Sequence, residues 1–151
     1  MKYDDASWHY GGEFPASSPR EYGGTHIGLF LKWCFQNGWA GELHRKEWPD
    51  ETQAVIDGAR SGTNFLMMNC DGKLTDEDLS EEGNAFASRY YGQNGLYLDD
   101  YSQEFFDLMY IASEDEHDFD VFSSMIGRRL KSDVLTKADL EKATPSDSPK
   151  P

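Results

Sequence analysis

The stretch from Ile27 to Phe35 most limits the folds open to this chain. Ile27, Phe30, Leu31, Cys34 and Phe35 recur at helical spacing. Leu29 and Trp33 fill most of the remaining circumference. A helix that is apolar almost all round has to be covered on several sides. Residues 25–37 are therefore predicted to form a buried helix, stopped at Asn37-Gly38. The run is far shorter than the ~18 residues of a membrane span, so it reads as the centre of a core. At 151 residues the chain is one domain by length. A chain of that size buries roughly 68–70% of its unfolded surface, enough for a core without disulfides or metal. Its aromatic content, with Trp 4, Tyr 8 and Phe 9, is too rich for a disordered chain.

The other segments are expected to wrap that helix. Residues 1–24 hold Gly11-Gly12, Pro15, Pro19 and Gly23-Gly24 and read as irregular, with Trp8 and Tyr10 folded back onto the domain. Residues 50–60 read as a helix with Asp50 as N-cap and Gln53 three residues later. Residues 63–70 form a short apolar helical segment ending at Gly72. Thr75-Asp76-Glu77-Asp78 has capping-box spacing ahead of a face made of Leu79, Gly83, Phe86, Ala87 and Tyr90. Asn94-Gly95 marks a turn, and Leu96-Tyr97-Leu98 reads as a short extended piece. Residues 102–112 fit a helix or a buried strand equally. Ser113-Glu114-Asp115-Glu116 is a second capping box. It opens a helix with Phe119, Phe122, Ile126 and Leu130 inward, whose basic end at Arg128, Arg129 and Lys131 complements the helix dipole. The expected fold is a single compact, mainly α domain over residues 1–143, α+β if residues 96–112 supply a small β element. The Pro- and Ser-rich residues 144–151 are expected to be a disordered tail.

Charge sets the partners. Asp+Glu 28 against Lys+Arg 14 gives a net charge of -14. Such a chain repels nucleic acid and anionic membrane and attracts basic proteins. Three acidic clusters are the candidate docking residues: Asp71, Asp76, Glu77, Asp78, Glu81 and Glu82; then Asp99, Asp100, Glu104 and Asp107; then Glu114, Asp115, Glu116, Asp118 and Asp120. Complementary charge speeds association and selects partners. Trp8 and Tyr97 are candidate aromatic anchors, since affinity also needs a buried centre.

Motifs for catalysis are sparse. There is no Gly-x-Ser-x-Gly elbow, phosphate-binding loop or dinucleotide fingerprint, so no cofactor is assigned. Cys34 and Cys70 sit among apolar residues and read as reduced thiols. No apolar signal region opens the sequence, so a cytoplasmic location is expected. Asn69 to Asp78 partly matches a calcium loop with Gly72 at position six, Asn69 and Asp71 at three and five, and Asp78 at twelve. Position one is then Met67, which has no oxygen ligand, so the segment reads as a turn followed by a capped helix and no metal is assigned. None of His9, His26, His44 and His117 forms a helical metal pair, and each reads as a packing or surface residue. If the chain is instead a small hydrolase, Asp4, Asp5, His9 and His26 are the residues that turns could bring together.

Several stretches carry a resemblance: Lys2-Tyr3-Asp4-Asp5-Ala6-Ser7-Trp8-His9-Tyr10-Gly11-Gly12, Phe14-Pro15, Thr25-His26-Ile27-Gly28 with Phe30-Leu31 and Trp33, then Asp71-Gly72-Lys73, Glu82-Gly83-Asn84 and Tyr90-Tyr91. Together, over roughly residues 2–130, they resemble a family of short bacterial proteins with a domain of unknown function. Members look like immunity proteins encoded beside polymorphic or contact-delivered toxins. The resemblance implies a chain that binds and neutralises a toxin or effector by occluding a functional surface. It brings no catalytic residues.

Overall fold

The computed structural model describes residues 1–11 and 14–143. The expected disorder of residues 144–151 lies outside the described residues. The fold is mainly helical, with one small sheet. At its centre is α1 (Thr25–Gln36), whose residues Thr25 to Leu31 and Trp33 to Phe35 are all buried. This is the helix expected from the apolar run. Around it lie α2 (Glu42–Glu47), α3 (Pro49–Asp57), α4 (Gly62–Asn69), α5 (Glu81–Tyr90), α6 (Tyr97–Glu104), α7 (Phe119–Ser132) and α8 (Lys137–Ala143).

The backbones of α1 and α4 approach each other closely. A Cβ on Gly28 would lie 2.4 Å from the Thr63 nitrogen, and one on Gly62 would lie 2.0 Å from the Gly28 carbonyl oxygen. Only hydrogen fits at both positions. Elsewhere α1 is covered by rings. Phe30 meets Phe86 and Tyr90 of α5, then Tyr91 and Tyr97, while Trp33 meets Trp39 and Phe86. Rings in such offset and edge-on contacts gain beyond their buried area.

Several boundaries differ from expectation. The small β element is not at residues 96–112. Leu96 is hydrogen-bonded to the Leu135 carbonyl and the chain turns directly into α6. The sheet instead joins β1 (Lys2–Asp5) to β2 (Lys73–Thr75), antiparallel, with Asp4 opposite Leu74. The Thr75–Asp78 capping box forms, but it closes only a single 3₁₀ turn, and α5 has its own cap in Ser80. The Ser113–Glu116 box likewise closes a 3₁₀ turn, and Asp118 caps α7. A capping box satisfies orphan donors and does not set how long the helix runs. Asp50 lies inside the first turn of α3, because Pro49 already occupies the first helical position. Trp8 is 59% exposed rather than folded back, and Leu130 near the end of α7 is 38% exposed. No helix among the described residues is long and apolar enough to cross a membrane.

Candidate functional site

Three elements converge on Asp4. It lies on β1, buried beneath the 3₁₀ turn Ala6–His9 that follows. Asp5 caps that turn by accepting from the Ser7 nitrogen at 2.9 Å and the Ser7 hydroxyl at 2.8 Å. The capped turn carries His9 back over the strand. His26, in the first turn of α1, arrives from the core side. Asp4 Oδ1 accepts from His9 Nε2 at 2.8 Å and from the Asp5 backbone N–H at 2.7 Å. Asp4 Oδ2 accepts from His26 Nε2 at 3.1 Å and from the Tyr91 hydroxyl. A carboxylate offers about four lone-pair sites, and here all are engaged. Beyond it, His9 Nδ1 is 2.7 Å from the Tyr110 hydroxyl. The two imidazoles meet edge to face with centroids 4.4 Å apart.

The electrostatics follow from burial and donors. Burial alone would raise the Asp4 carboxyl, but hydrogen bonds from His26 and His9 outweigh it and hold the group well below the usual carboxylate range. Burial lowers His26 against the pull of Asp4, so it is neutral at neutral pH. Burial and the Asp4 charge raise the Tyr91 and Tyr110 phenols, which stay protonated. Tyr110 also sits at φ 63, the left-handed region where a bulky side chain is strained.

A second cluster lies under α2. His44 Nε2 is 2.7 Å from Asp78 Oδ1 and 3.8 Å from the Cys70 sulfur. His44 Nδ1 is buried with no hydrogen-bond partner among the described residues. Burial and then the Asp78 charge push the Cys70 thiol up, so it stays protonated. Both cysteines are free, as expected. The loop does not assemble as a calcium site, because Asp78 turns inward to His44 and to the Thr75 N–H at 2.7 Å.

The expected docking residues divide by exposure. Glu77, Glu81, Glu82, Asp99, Asp115 and Glu116 are exposed, as are Asp71 and Asp76. Asp71 pairs with Lys73 at 2.8 Å and Asp76 with the N-terminal ammonium at 3.1 Å. Glu116 reaches back to the Ser113 N–H at 3.0 Å. Asp100 is half-buried, held by Arg129 at 2.8 and 3.0 Å and by the Tyr90 hydroxyl. Three residues are corrected outright. Asp78 is buried on His44. Tyr97 is buried in the aromatic core, with its hydroxyl on the His26 carbonyl. Glu114 is buried at the start of α4, accepting from Gly62 N at 3.0 Å and from Thr63 N and Oγ1 at 2.8 Å each. None of the three presents a free surface to a partner. Of the four residues named for a hydrolase, Asp4, His9 and His26 do assemble, whereas Asp5 faces Ser7 and Lys2. Tyr91 and Tyr110 complete the cluster, and no spacing in the sequence connects them to it.

The architecture is that of a small, mainly helical domain with a buried carboxylate–histidine–tyrosine cluster beneath its N-terminal strand. The chain belongs to the DUF7832 family, a domain of unknown function, whose model matches residues 2–118. No curated protein and no solved structure matches the chain.

Proposed function

We propose that the chain is an immunity-type protein that binds a bacterial toxin or effector with a basic surface and occludes the surface that toxin works with. The observation carrying this is where the acidic surplus lies. Glu77, Glu81, Glu82, Asp99 and Asp115 are exposed, and none forms an ion pair with any described residue. Unpaired exposed carboxylates make the local potential negative and steer a cationic partner. Two large apolar side chains, Trp8 and the 77% exposed Phe106, are available to supply the buried centre of a contact. The resemblance of the opening block to immunity proteins points the same way. The test is co-expression with the protein encoded beside this gene. The wild-type chain should restore growth and co-purify with it, and failure of both would overturn the proposal.

One observation favours a second reading, a small hydrolase. Asp4 orients His9, and His9 in turn contacts the Tyr110 hydroxyl, which is the order of a carboxylate, a base and a hydroxyl. A His9→Gln variant that still binds the toxin but no longer protects the cell would select this reading.

A further inference from the structure

We propose that Asp4, His9 and His26 form a binding site for one divalent transition-metal ion of the zinc class. Their three donor atoms lie within 4.8 Å of one another. They are two imidazole nitrogens and a carboxylate, a donor set that suits zinc and its first-row neighbours. Bonds of about 2.0–2.1 Å at a tetrahedral angle put neighbouring donors roughly 3.3 Å apart. The two nitrogens already stand 2.8 and 3.1 Å from the Asp4 oxygens. Separating each imidazole from its own carboxylate oxygen by a few tenths of an ångström reaches that spacing.

At His9 and Asp4 the outer contacts separate this cluster from the other one. A ligating histidine needs a partner for its second nitrogen, and a ligating carboxylate needs its own hydrogen bonds. His9 has the Tyr110 hydroxyl at 2.7 Å on Nδ1. Asp4 has the Tyr91 hydroxyl and the Asp5 N–H. Ion binding moves the His9 proton from Nε2 to Nδ1, with no net proton gained or lost by a neutral ring. A tyrosine hydroxyl both donates and accepts, so the Tyr110 contact serves either state. It donates to Nδ1 without the ion and accepts from Nδ1–H with it. His44, Cys70 and Asp78 form the competing set, but His44 Nδ1 is an orphan. Metal on His44 Nε2 would place an unsatisfied N–H in the interior. Three protein donors are the count of a zinc site that keeps one position for water or substrate. His9 is the most exposed of the three, so that position opens on its side. The ion would also tie β1 and its following turn to α1.

The test titrates the metal-free, full-length chain with Co²⁺ and then displaces it with Zn²⁺. One ion should bind per chain, with visible d–d absorption and no near-ultraviolet thiolate charge transfer, and Zn²⁺ should raise the melting temperature. Tyr110→Phe leaves every ligand in place and should weaken binding roughly 10–100-fold, the range for outer-shell changes. His9→Gln should weaken it further, with the fold checked by circular dichroism. Cys70→Ser should leave affinity unchanged. The proposal is overturned by the absence of saturable binding below about millimolar ion. It is overturned equally by binding indifferent to Tyr110→Phe and His9→Gln, or by a thiolate band that Cys70→Ser abolishes. Toxin binding by wild type does not enter any of these readouts, so the two proposals fail separately.

Discussion

Glu114→Gln tests whether a carboxylate that reads as surface charge is a structural cap. In the wild type, Oε1 takes two bonds from Thr63 and Oε2 takes one from Gly62, with Lys32 Nζ 4.0 Å away. The acceptors sit on the first N–H groups of α4, which have no partner within the helix. Glutamine best keeps its oxygen on Thr63, so its NH₂ then faces the Gly62 N–H, donor against donor. One hydrogen bond to a charged group is lost, about 1.5–3 kcal/mol. The two that remain become neutral, and favourable charge at the helix N-terminus, about 0.3–1 kcal/mol, goes with them. A total near 3 kcal/mol is expected. At ~2–4 °C per kcal/mol for a domain this size, the melting temperature should fall by roughly 6–12 °C. The assay is thermal unfolding followed by circular dichroism, beside association kinetics with the proposed toxin partner. A fall under about 2 °C would refute the cap. Slower toxin association at unchanged stability would return Glu114 to the docking face.

Three further outcomes are expected. Gly28→Ala puts a methyl 2.4 Å from the Thr63 nitrogen. It should destabilise the chain by about 3 kcal/mol or more, read as a shift in urea midpoint. Stability should fall on acidification in two windows. Burial depresses His26 and His117 below 6.5, so the unfolded chain binds their protons first and stability drops as pH falls through that value. Asp4 adds a second loss below 3.8, where the unfolded carboxyl protonates before the folded one. Melting curves from pH 8 to 3 check both, and a melting temperature that rises between pH 7 and 5 would contradict the sign. If the proposed toxin binding holds, reversing Glu77, Glu81 and Glu82 to Lys should slow association far more than it speeds dissociation. That difference should shrink at high salt, where exposed charges are screened beyond a Debye length of about 8 Å. Stopped-flow association at two ionic strengths measures it.

The helices were legible where one physical signal dominated. α1 was plain because its apolar run leaves no face for water, and α5 because Leu79, Gly83, Phe86, Ala87 and Tyr90 line one side. The sheet was not legible. β1 and β2 are four and three residues long and lie about seventy residues apart, and partner choice rests on tertiary contacts such as the Ala6 N–H on the Gly72 carbonyl. Residues 96–104 misled because Leu96-Tyr97-Leu98 alternates too briefly to fix a period. At the cluster, Asp4, His9 and His26 were nameable from residue type and nearby turns. Their shared carboxylate was not, since α1 is buried all round and its pattern does not say which way His26 points. Tyr110 sits in a run whose period fits helix and strand alike.

Burial of carboxylates explains how so acidic a chain folds and why its charge map misled. A buried charge has to be paired or hydrogen-bonded. With Lys+Arg 14 against Asp+Glu 28, cations are too few to serve every carboxylate. The interior draws instead on other donors. Asp4 takes two imidazoles, a phenol and a backbone N–H. Asp78 takes an imidazole and the Thr75 N–H. Glu114 takes a helix N-terminus and a threonine hydroxyl. Among the described residues, only Asp100 of the more enclosed carboxylates relies on arginine for several bonds. Asp78 and Glu114 sit in the same acidic runs as Glu77 and Asp115, so composition cannot tell cap from docking residue. The capping-box offset separates Asp78 from Glu77 but not Glu114 from Asp115, because Glu114 opens its box and the exposed Glu116 closes it. Asp78 is the closing residue of its box, whereas Glu77, one position earlier, is aimed outward. Glu114 is set apart instead by its long-range bonds to the start of α4, so an acidic run yields its docking residues only once the fold shows which carboxylates the interior has taken.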